Sequence, residues 1–417
     1  VSAARLLQPL PLPTGAAVLA ALPRLRAALD GTGPALLPHP AGSPPPADLL
    51  PGEPLAAAED DPDDPTAVVV STSGSTGTAK GALLSAAALR ASATATRTRL
   101  GAPGPPGGEQ WLLALPAHHV AGLQVLLRSL LAGTEPVVVD LAGGFTPAAF
   151  TAAAAACTGA LRRTSLVPTQ LLRLLDAGAE ATAALASFDA VLVGAAATPP
   201  ALLERAAAAG VRVVTTYGSS ETCGGCVYDG LPLDGVHADV EPATSRVLLS
   251  GDVVARGYRA RPDAPAFDRD PAGRRRFRTD DAGVLRAGPG GSGQRPRLEV
   301  LGRLDDLVTT GGLKVAPALV EGVLVQHPAV AEAAVVGVED ERWGQRLVAA
   351  VVAREAAGGV DLAQLRAFVT ARLAAHAAPR QLVLLRELPL RGPGKPDRLL
   401  LQRLARESAV APERADG

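Results

Sequence analysis

The stretch that most constrains this chain is Ser71-Thr72-Ser73-Gly74-Ser75-Thr76-Gly77-Thr78-Ala79-Lys80-Gly81. It follows the apolar run Ala67-Val68-Val69-Val70 and precedes Ala82-Leu83-Leu84-Ser85, a helix-compatible run that continues into Ala86-Ala87-Ala88-Leu89. Small residues let backbone N–H groups approach a polyanion closely, the hydroxyls add donors, and Lys80 supplies positive charge. The segment therefore reads as a cradle for a triphosphate. It is not the common P-loop, because Lys80 sits three residues after Gly77 and is followed by Gly81 instead of Ser or Thr. Taken alone, such a run is also how a flexible linker is written.

Lysine usage weighs toward the first reading. Of 40 basic residues only three are lysine, Lys80, Lys314 and Lys395, and the chain contains no isoleucine, asparagine or methionine. Where arginine replaces lysine almost everywhere, the survivors mark places where a compact ammonium on a flexible stem is not exchangeable for a planar guanidinium. One of the three stands in the cradle.

At 417 residues the chain is long enough for two or three folding units. With 47% apolar and 19% charged residues it can bury substantial cores, and with 3% aromatics those cores must be Leu, Val and Ala. A net charge of -1 argues against bulk nucleic-acid binding, and Gly273-Arg274-Arg275-Arg276-Phe277-Arg278 is expected to be a solvated basic turn. Three cysteines, Cys157, Cys223 and Cys226, make no disulfide framework, and Cys223-Gly224-Gly225-Cys226 has no nearby His/Cys group to complete a metal or redox site. The start runs into prolines instead of a signal-peptide core, and no segment holds 18 uninterrupted apolar residues. The expectation is a cytoplasmic protein without stable membrane insertion.

Along the chain, residues 1–50 offer one short helix over 16–29, and Glu59-Asp60-Asp61-Pro62-Asp63-Asp64-Pro65 reads as an acidic turn or linker. Helices are expected over 86–100, 123–131, 147–156, 169–175 and 200–209, alternating with apolar strands over 111–115, 136–139, 164–167, 190–193 and 211–215. That alternation predicts an α/β fold with a mostly parallel, helix-covered sheet. Ligands of such sheets gather at the C-terminal ends of the strands, which puts the loops at Ser71, Pro116, Gly194 and Tyr217 on one rim. From 247 to 281 the texture becomes β-rich. Gly288-Pro289-Gly290-Gly291-Ser292-Gly293 formally contains G-x-G-x-x-G, yet it neither follows a strand nor opens a helix, so it reads as a loop. The expected division is a large unit over 1–303, a hinge at 304–306 and a small C-terminal α+β unit over 307–417, with helices over 317–325 and 361–374 and strands over 330–338, 347–352 and 381–385.

Several residues could carry chemistry. In Tyr217-Gly218-Ser219-Ser220-Glu221-Thr222, hydroxyls stand beside one carboxylate at a strand end, a placement suited to Mg2+, although a simple capped turn has the same composition. Asp281, ending a strand beside Asp280, could accept both hydroxyls of a ribose or be an exposed turn acid. His118 and His119 are adjacent, so on a regular strand they point opposite ways. Lys395, presented between Gly394 and Pro396, could be carried into another unit's site to neutralise a phosphate or carboxylate, or be a solvated surface lysine.

Together these stretches resemble the acyl-adenylate-forming enzyme family. The resemblance runs from Val68 to Arg398 through the Ser71–Gly81 loop, Gly194-Ala195-Ala196, Tyr217 to Thr222, Thr279 to Gly283, Gly302-Arg303-Leu304-Asp305-Asp306, Gly311-Gly312-Leu313-Lys314 and Gly394-Lys395. Within the family, Leu115-Pro116-Ala117-His118-His119, Ser165-Leu166-Val167-Pro168-Thr169-Gln170-Leu171 and the Tyr217–Gly230 run are most similar to actinobacterial members that join 2-succinylbenzoate to coenzyme A for menaquinone biosynthesis. A shortened N-terminal region agrees with this.

The resemblance implies a ligase using ATP, Mg2+, coenzyme A and a small carboxylic acid, and it leaves room for a homodimer. Thr72, Ser73, Gly74, Ser75, Thr76, Gly77 and Lys80 would hold the β- and γ-phosphates, and Ser220 with Glu221 would meet the α-phosphate and Mg2+. Gly194, Ala195, Ala196 and Tyr217 would frame adenine. Asp281 would bind ribose with Arg303 close by, and His119 would gate the acyl site. Asp305 would be the hinge, Lys395 the mobile lysine of adenylation, and Gly311, Gly312 and Lys314 part of the face later turned to coenzyme A. Three departures stand out: Asp280 where the family has glycine, Ser220 where threonine is commoner, and Pro396 where an aliphatic residue is usual. Other readings are the same activation of a different acid, transfer to a carrier-protein thiol, and a nucleotide-binding regulator without catalysis.

Overall fold

The computed structural model describes residues 4–72, 79–101, 108–287, 295–354, 359–389 and 396–410. A seven-stranded sheet dominates the first half. Five of its strands, Val137–Val138, Glu109–Leu113, Leu161–Leu166, Ala190–Val193 and Val213–Ser219, are parallel in that spatial order, and Gly224–Tyr228 and Leu231–Pro232 add an antiparallel edge. Both faces are buried. Trp111 and Leu113 enter a core shared with the helices Ala86–Arg99 and Val120–Ala132, while Leu112 and Ala114 enter another with Phe150, Leu171 and Phe188. Alternating side chains with two dry destinations explain why the strands read as continuous apolar runs.

Most expected elements form within a residue or two of their predicted positions. The exceptions have local causes. Residues 82–85 are not helical: Lys80–Ser85 is a strand paired antiparallel with Thr66–Thr72, because residues 82–84 are fully or almost fully buried between sheet neighbours. The proline-rich start hides two strands, Leu7–Leu12 and Ala35–Pro40. Prolines are tolerated there because Leu7–Leu12 is a sheet edge and the second strand meets Thr66–Thr72 only at Leu36. The helix over 16–29 is a 3-10 turn, Gly15–Ala21, followed by an α-helix, Leu22–Leu29, with Pro23 in its first turn.

The acidic turn is also more than a linker. Glu59 is buried in an ion pair with Arg259, Asp60 accepts from the Thr66 N–H at 2.7 Å, and Asp64 accepts from the Ala87 N–H at 3.0 Å. Arg275 to Arg278 are likewise not a solvated turn. They open the long strand Arg275–Arg286, where Arg276 pairs with Asp268 and Arg278 with Glu241. That strand is central to a five-stranded antiparallel sheet covering 236–303. The glycine run over 288–293 lies outside the described residues.

From Val308 onward a further five-stranded sheet carries its own two-sided core. Val335, Leu347 and Val351 pack on the helices Pro317–Leu324 and Leu362–Thr370, whereas Val336, Val348 and Ala350 pack on Leu401 and Ala405 of Arg398–Val410. The second expected helix is shorter than predicted and ends at Thr370. No described helix is long and apolar enough to cross a membrane.

Candidate active site

The strands flanking the cradle stretch, Thr66–Thr72 and Lys80–Ser85, pair antiparallel with Ser71 opposite Gly81 and Thr72 opposite Lys80. Ser73, Gly74, Ser75, Thr76 and Gly77 lie outside the described residues. At the strand root a side chain at Gly81 would put Cβ 2.7 Å from Val69 Cγ1 and 2.9 Å from Leu49 Cδ2. The glycine lets a second segment lie against the hairpin. The Arg259 N–H donates to Gly81 O at 2.8 Å and the Leu83 N–H to Gly257 O at 3.0 Å, so residues 256–259 run beside Lys80–Ser85 like an added strand.

That segment brings Tyr258 to the site. Its hydroxyl donates to Glu221 Oε1 at 2.6 Å, and the Lys80 ammonium stands 5.5 Å from the centre of its ring. Glu221 arrives from the opposite side, on the 3-10 turn Ser220–Thr222 that closes the Val213–Ser219 strand. The turn is tied by the Ser219 N–H donating to Thr222 Oγ1 at 3.0 Å and by Thr222 Oγ1 donating to Gly224 O at 2.9 Å. Glu221 is 7% exposed and Tyr258 5%. Burial and the neighbouring carboxylate push the Tyr258 hydroxyl far above the usual phenol range, so it stays a donor.

Three glutamates are buried among the described residues, Glu59, Glu109 and Glu221. Glu59 is paired with Arg259 and Glu109 with Arg163, whereas Glu221 has a phenol and, among the described residues, no cation within ion-pair distance. Tyr258 is the residue that sequence reasoning missed. The signal was there: the chain has only three tyrosines, and each buries its hydroxyl against a specific partner, Asp281 for Tyr217, Thr96 for Tyr228 and Glu221 for Tyr258.

A second cluster lies at the same rim. Tyr217 donates to Asp281 Oδ2 at 2.7 Å, and Arg303 reaches Asp281 at 4.0 Å, Asp280 at 3.5 Å and Asp305 at 3.0 Å. Burial raises the Asp281 carboxyl above its usual range, opposed by the Tyr217 hydrogen bond and Arg303. Arg303 holds Asp305 below the usual carboxylate range against the opposing effect of burial. The Asp280 side chain is 60% exposed and is also paired with Arg246 at 3.2 Å. Two arginines therefore neutralise it, and its backbone does not need the left-handed region that would demand glycine. A cleft of about 560 Å3 is lined by Lys80, Tyr258, Arg246, Arg261, Arg278 and Asp280. These arginines were also missed from the sequence, because nothing in their spacing announces a shared cleft.

Gly194 follows the Ala190–Val193 strand, and a Cβ there would lie 2.3 Å from Thr216 Oγ1. Ala195 takes φ +67°, a conformation usually left to glycine, so Gly194 to Ala196 form a tight shelf beside the strand bearing Tyr217.

His118 and His119 do not point opposite ways. They sit in the turn between Glu109–Leu113 and Val120–Ala132, with ring centres 4.2 Å apart, because no strand alternation governs them there. Burial, with help from His119 and His39, pushes the His118 imidazole down to about 4, and burial lowers His119 as well. Both rings are neutral at pH 7. Cys223 and Cys226 are free and buried, and burial raises the Cys226 thiol to about 12 and the Cys223 thiol further, which makes both poor thiolates.

Far along the chain, Val308–Thr310 and Leu313–Val315 form a hairpin whose two turn residues, Gly311 (φ +59°) and Gly312 (φ +76°), both require positive φ. Lys314 is exposed there, and the Gly311 N–H donates to Trp343 O at 2.9 Å. Lys395 lies outside the described residues.

Whether these residues suit a hard cation can be judged from the donor set. Among the described residues no group of three or more His, Cys, Asp or Glu side chains is placed to hold a metal ion. Glu221 offers a single carboxylate with one oxygen engaged by a phenol, which fits an ion taking most of its ligands from phosphate and water.

Comparison with known proteins places this geometry. Residues 16–253 match the family described as AMP-binding enzyme, and residues 319–395 match the AMP-binding enzyme C-terminal domain. A probable 2-succinylbenzoate–CoA ligase of Mycobacterium tuberculosis is 46% identical over 391 residues, covering 94% of this chain and 96% of that protein. Among solved structures, o-succinylbenzoate CoA synthetase from Bacillus subtilis in complex with the acyl-adenylate intermediate OSB-AMP superimposes with a TM-score of 0.71. It is 25% identical, and the match covers 96% of this chain and 89% of that one. The same enzyme in complex with ATP and magnesium ion gives 0.65 at 28% identity over 81% of this chain and 70% of that one.

Proposed function

The chain belongs to the AMP-binding enzyme family, and from that premise we propose that it joins 2-succinylbenzoate to coenzyme A at the expense of ATP, releasing AMP and diphosphate. The observation that carries the substrate is the end-to-end similarity to the mycobacterial relative, which runs through both matched regions. The reaction class has independent support in a cationic cleft lined by Lys80 and Tyr258, in Glu221 held by the Tyr258 hydroxyl with no cationic partner among the described residues, and in the part-buried Tyr217–Asp281 pair.

The chemistry follows from charge. A carboxylate is a poor electrophile; attack on the α-phosphate of ATP turns it into a mixed anhydride with a good leaving group, which the thiol of coenzyme A then opens. The hairpin loop with Thr72 and Lys80 faces the β- and γ-phosphates, and Glu221 with Ser220 faces the α-phosphate. Mg2+, when bound, offsets charge growing on the phosphoryl oxygens. Asp281, oriented by Tyr217, takes the ribose hydroxyls, and the Gly194–Ala196 shelf takes adenine. His119, neutral, lines the acyl side.

Residues 1–303 and 307–417 act as two units about a hinge at Asp305. In one arrangement Lys395 attends adenylation; in the other the Gly311–Gly312–Lys314 hairpin faces coenzyme A. The protein works in the cytoplasm, where ATP and coenzyme A are supplied, in menaquinone biosynthesis.

The test is release of diphosphate and formation of a coenzyme A thioester across a panel of acids. The expected result is turnover with 2-succinylbenzoate well above other aryl or aliphatic acids. Preference for another acid would move the substrate, and ATP binding without diphosphate release under any acid would overturn the ligase reading.

A further inference from the structure

We infer that Tyr258 is a positioning residue that contacts both Lys80 and Glu221 and keeps them from pairing with each other, so that both remain available to the nucleotide and its metal ion. The inference rests on the assignment of Lys80 and Glu221 to that site.

Tyr258 stands between the half-buried Lys80 and the buried Glu221, touching the first through its ring and the second through its hydroxyl. Attraction between unit charges grows steeply as water is excluded. Collapse into a direct ion pair would remove the cation meant for phosphate and the carboxylate meant for metal in one step. The phenol blocks this in two ways. Its hydroxyl engages one oxygen of Glu221 at 2.6 Å, supplying the hydrogen bond that an isolated buried carboxylate needs. Its ring presents a π-face to the Lys80 ammonium at 5.5 Å, attracting the cation without neutralising it. Among the described residues the Lys80 ammonium has the Tyr258 ring as its neighbour and no carboxylate within ion-pair distance.

The phenol is itself held rigidly. The Ala255 N–H donates to Glu221 O at 2.8 Å, the Arg259 N–H to Gly81 O at 2.8 Å, and Phe267 packs edge-on against the ring at 4.9 Å between centres. One short segment thus touches both the residue after Lys80 and the backbone of Glu221. The buried Arg259–Glu59 pair anchors its far side.

The two contacts are separable. Tyr258→Phe keeps the ring and removes the hydroxyl; Tyr258→Leu removes both. ATP binding is measured by calorimetry at a series of Mg2+ concentrations, without any acid, alongside melting temperature. With Phe, the Mg2+ concentration that half-saturates ATP binding rises about tenfold, the loss expected for one hydrogen bond to a charged group, while ATP affinity at saturating Mg2+ stays within about twofold. With Leu, affinity at saturating Mg2+ also falls, by roughly fivefold, for loss of the cation–π contact. A merely structural tyrosine would show lowered melting temperature, rescue by Phe and no change in Mg2+ dependence; that outcome overturns the inference. If the wild type binds ATP with Mg2+ and the Phe variant shows the shift, yet no acid provokes diphosphate release, the positioning role stands and the ligase reading falls.

Discussion

Glu109 and Glu221 are the same side chain at nearly the same depth, 3% and 7% exposed, on opposite ends of one sheet, and they are compensated differently. Glu109, at the start of its strand, pairs with the fully buried Arg163 at 2.7 Å, with Arg97 at 3.6 Å beyond. Burial lowers the Arg163 guanidinium, and Glu109 acts in the opposite direction. Glu221, at the C-terminal rim, has a phenol. A charge balanced inside the protein is committed to the fold, whereas one that is only hydrogen-bonded keeps its charge for something outside the chain. The difference separates scaffold from site within a single layer of structure.

The sharpest extension of that contrast concerns a charge brought from elsewhere in the chain. Lys395→Ala is expected to cut diphosphate release about 10³-fold, the scale of removing one preorganised charge from a transition state, and to leave thioester formation from supplied acyl-adenylate largely intact. Equal loss in both half-reactions would break the two-arrangement reading. Next in size is the scaffold carboxylate. Glu109→Gln strands Arg163 in a dry site and should cost about 3 kcal/mol of stability in a denaturant titration, with the kinetics of the folded fraction unchanged. The same change at the rim, Glu221→Gln, should cost under about 1 kcal/mol, since Tyr258 can donate to an amide oxygen as well, while the Mg2+ requirement for diphosphate release rises roughly tenfold. If the two variants exchanged their effects, Glu109 would belong to the site and Glu221 to the scaffold.

The smallest effect is a pH dependence. His118 titrates near 4 in the folded chain against about 6.5 when unfolded, so between those values the unfolded chain binds more protons. Stability contributed there is present above about 6.5 and is lost as pH falls toward 4. His118→Gln should flatten melting temperature across that window; an unaltered slope would assign the dependence to other groups.

Much of this molecule could be read from the chain itself. The parallel strands were legible because both of their faces are dry, and the separate C-terminal core showed in its own alternation of helix and strand. The lysine count singled out Lys80, and Glu221 does close its strand, but Asp281 lies inside the strand Arg275–Arg286 and not at its end, because the strand continues past it in pairing with 297–303. What escaped detection escaped for physical reasons. Prolines in Leu7–Leu12 hid an edge strand, and residues 82–85 read as helix because Ala and Leu serve either geometry until a pairing partner is known. Asp280 looked like an intruder in a nucleotide site until Arg246 and Arg303 were seen on either side of it.

Residue choice along the chain determined the layered α/β architecture, the family and the reactive groups, because periodicity and side-chain chemistry are local properties written in order. Which charges would be neutralised and which left in reserve was decided only by folding. Tyr258 stands 178 residues after Lys80 and 37 after Glu221. Contact across such separations depends on how sheets pack, and no local pattern encodes it.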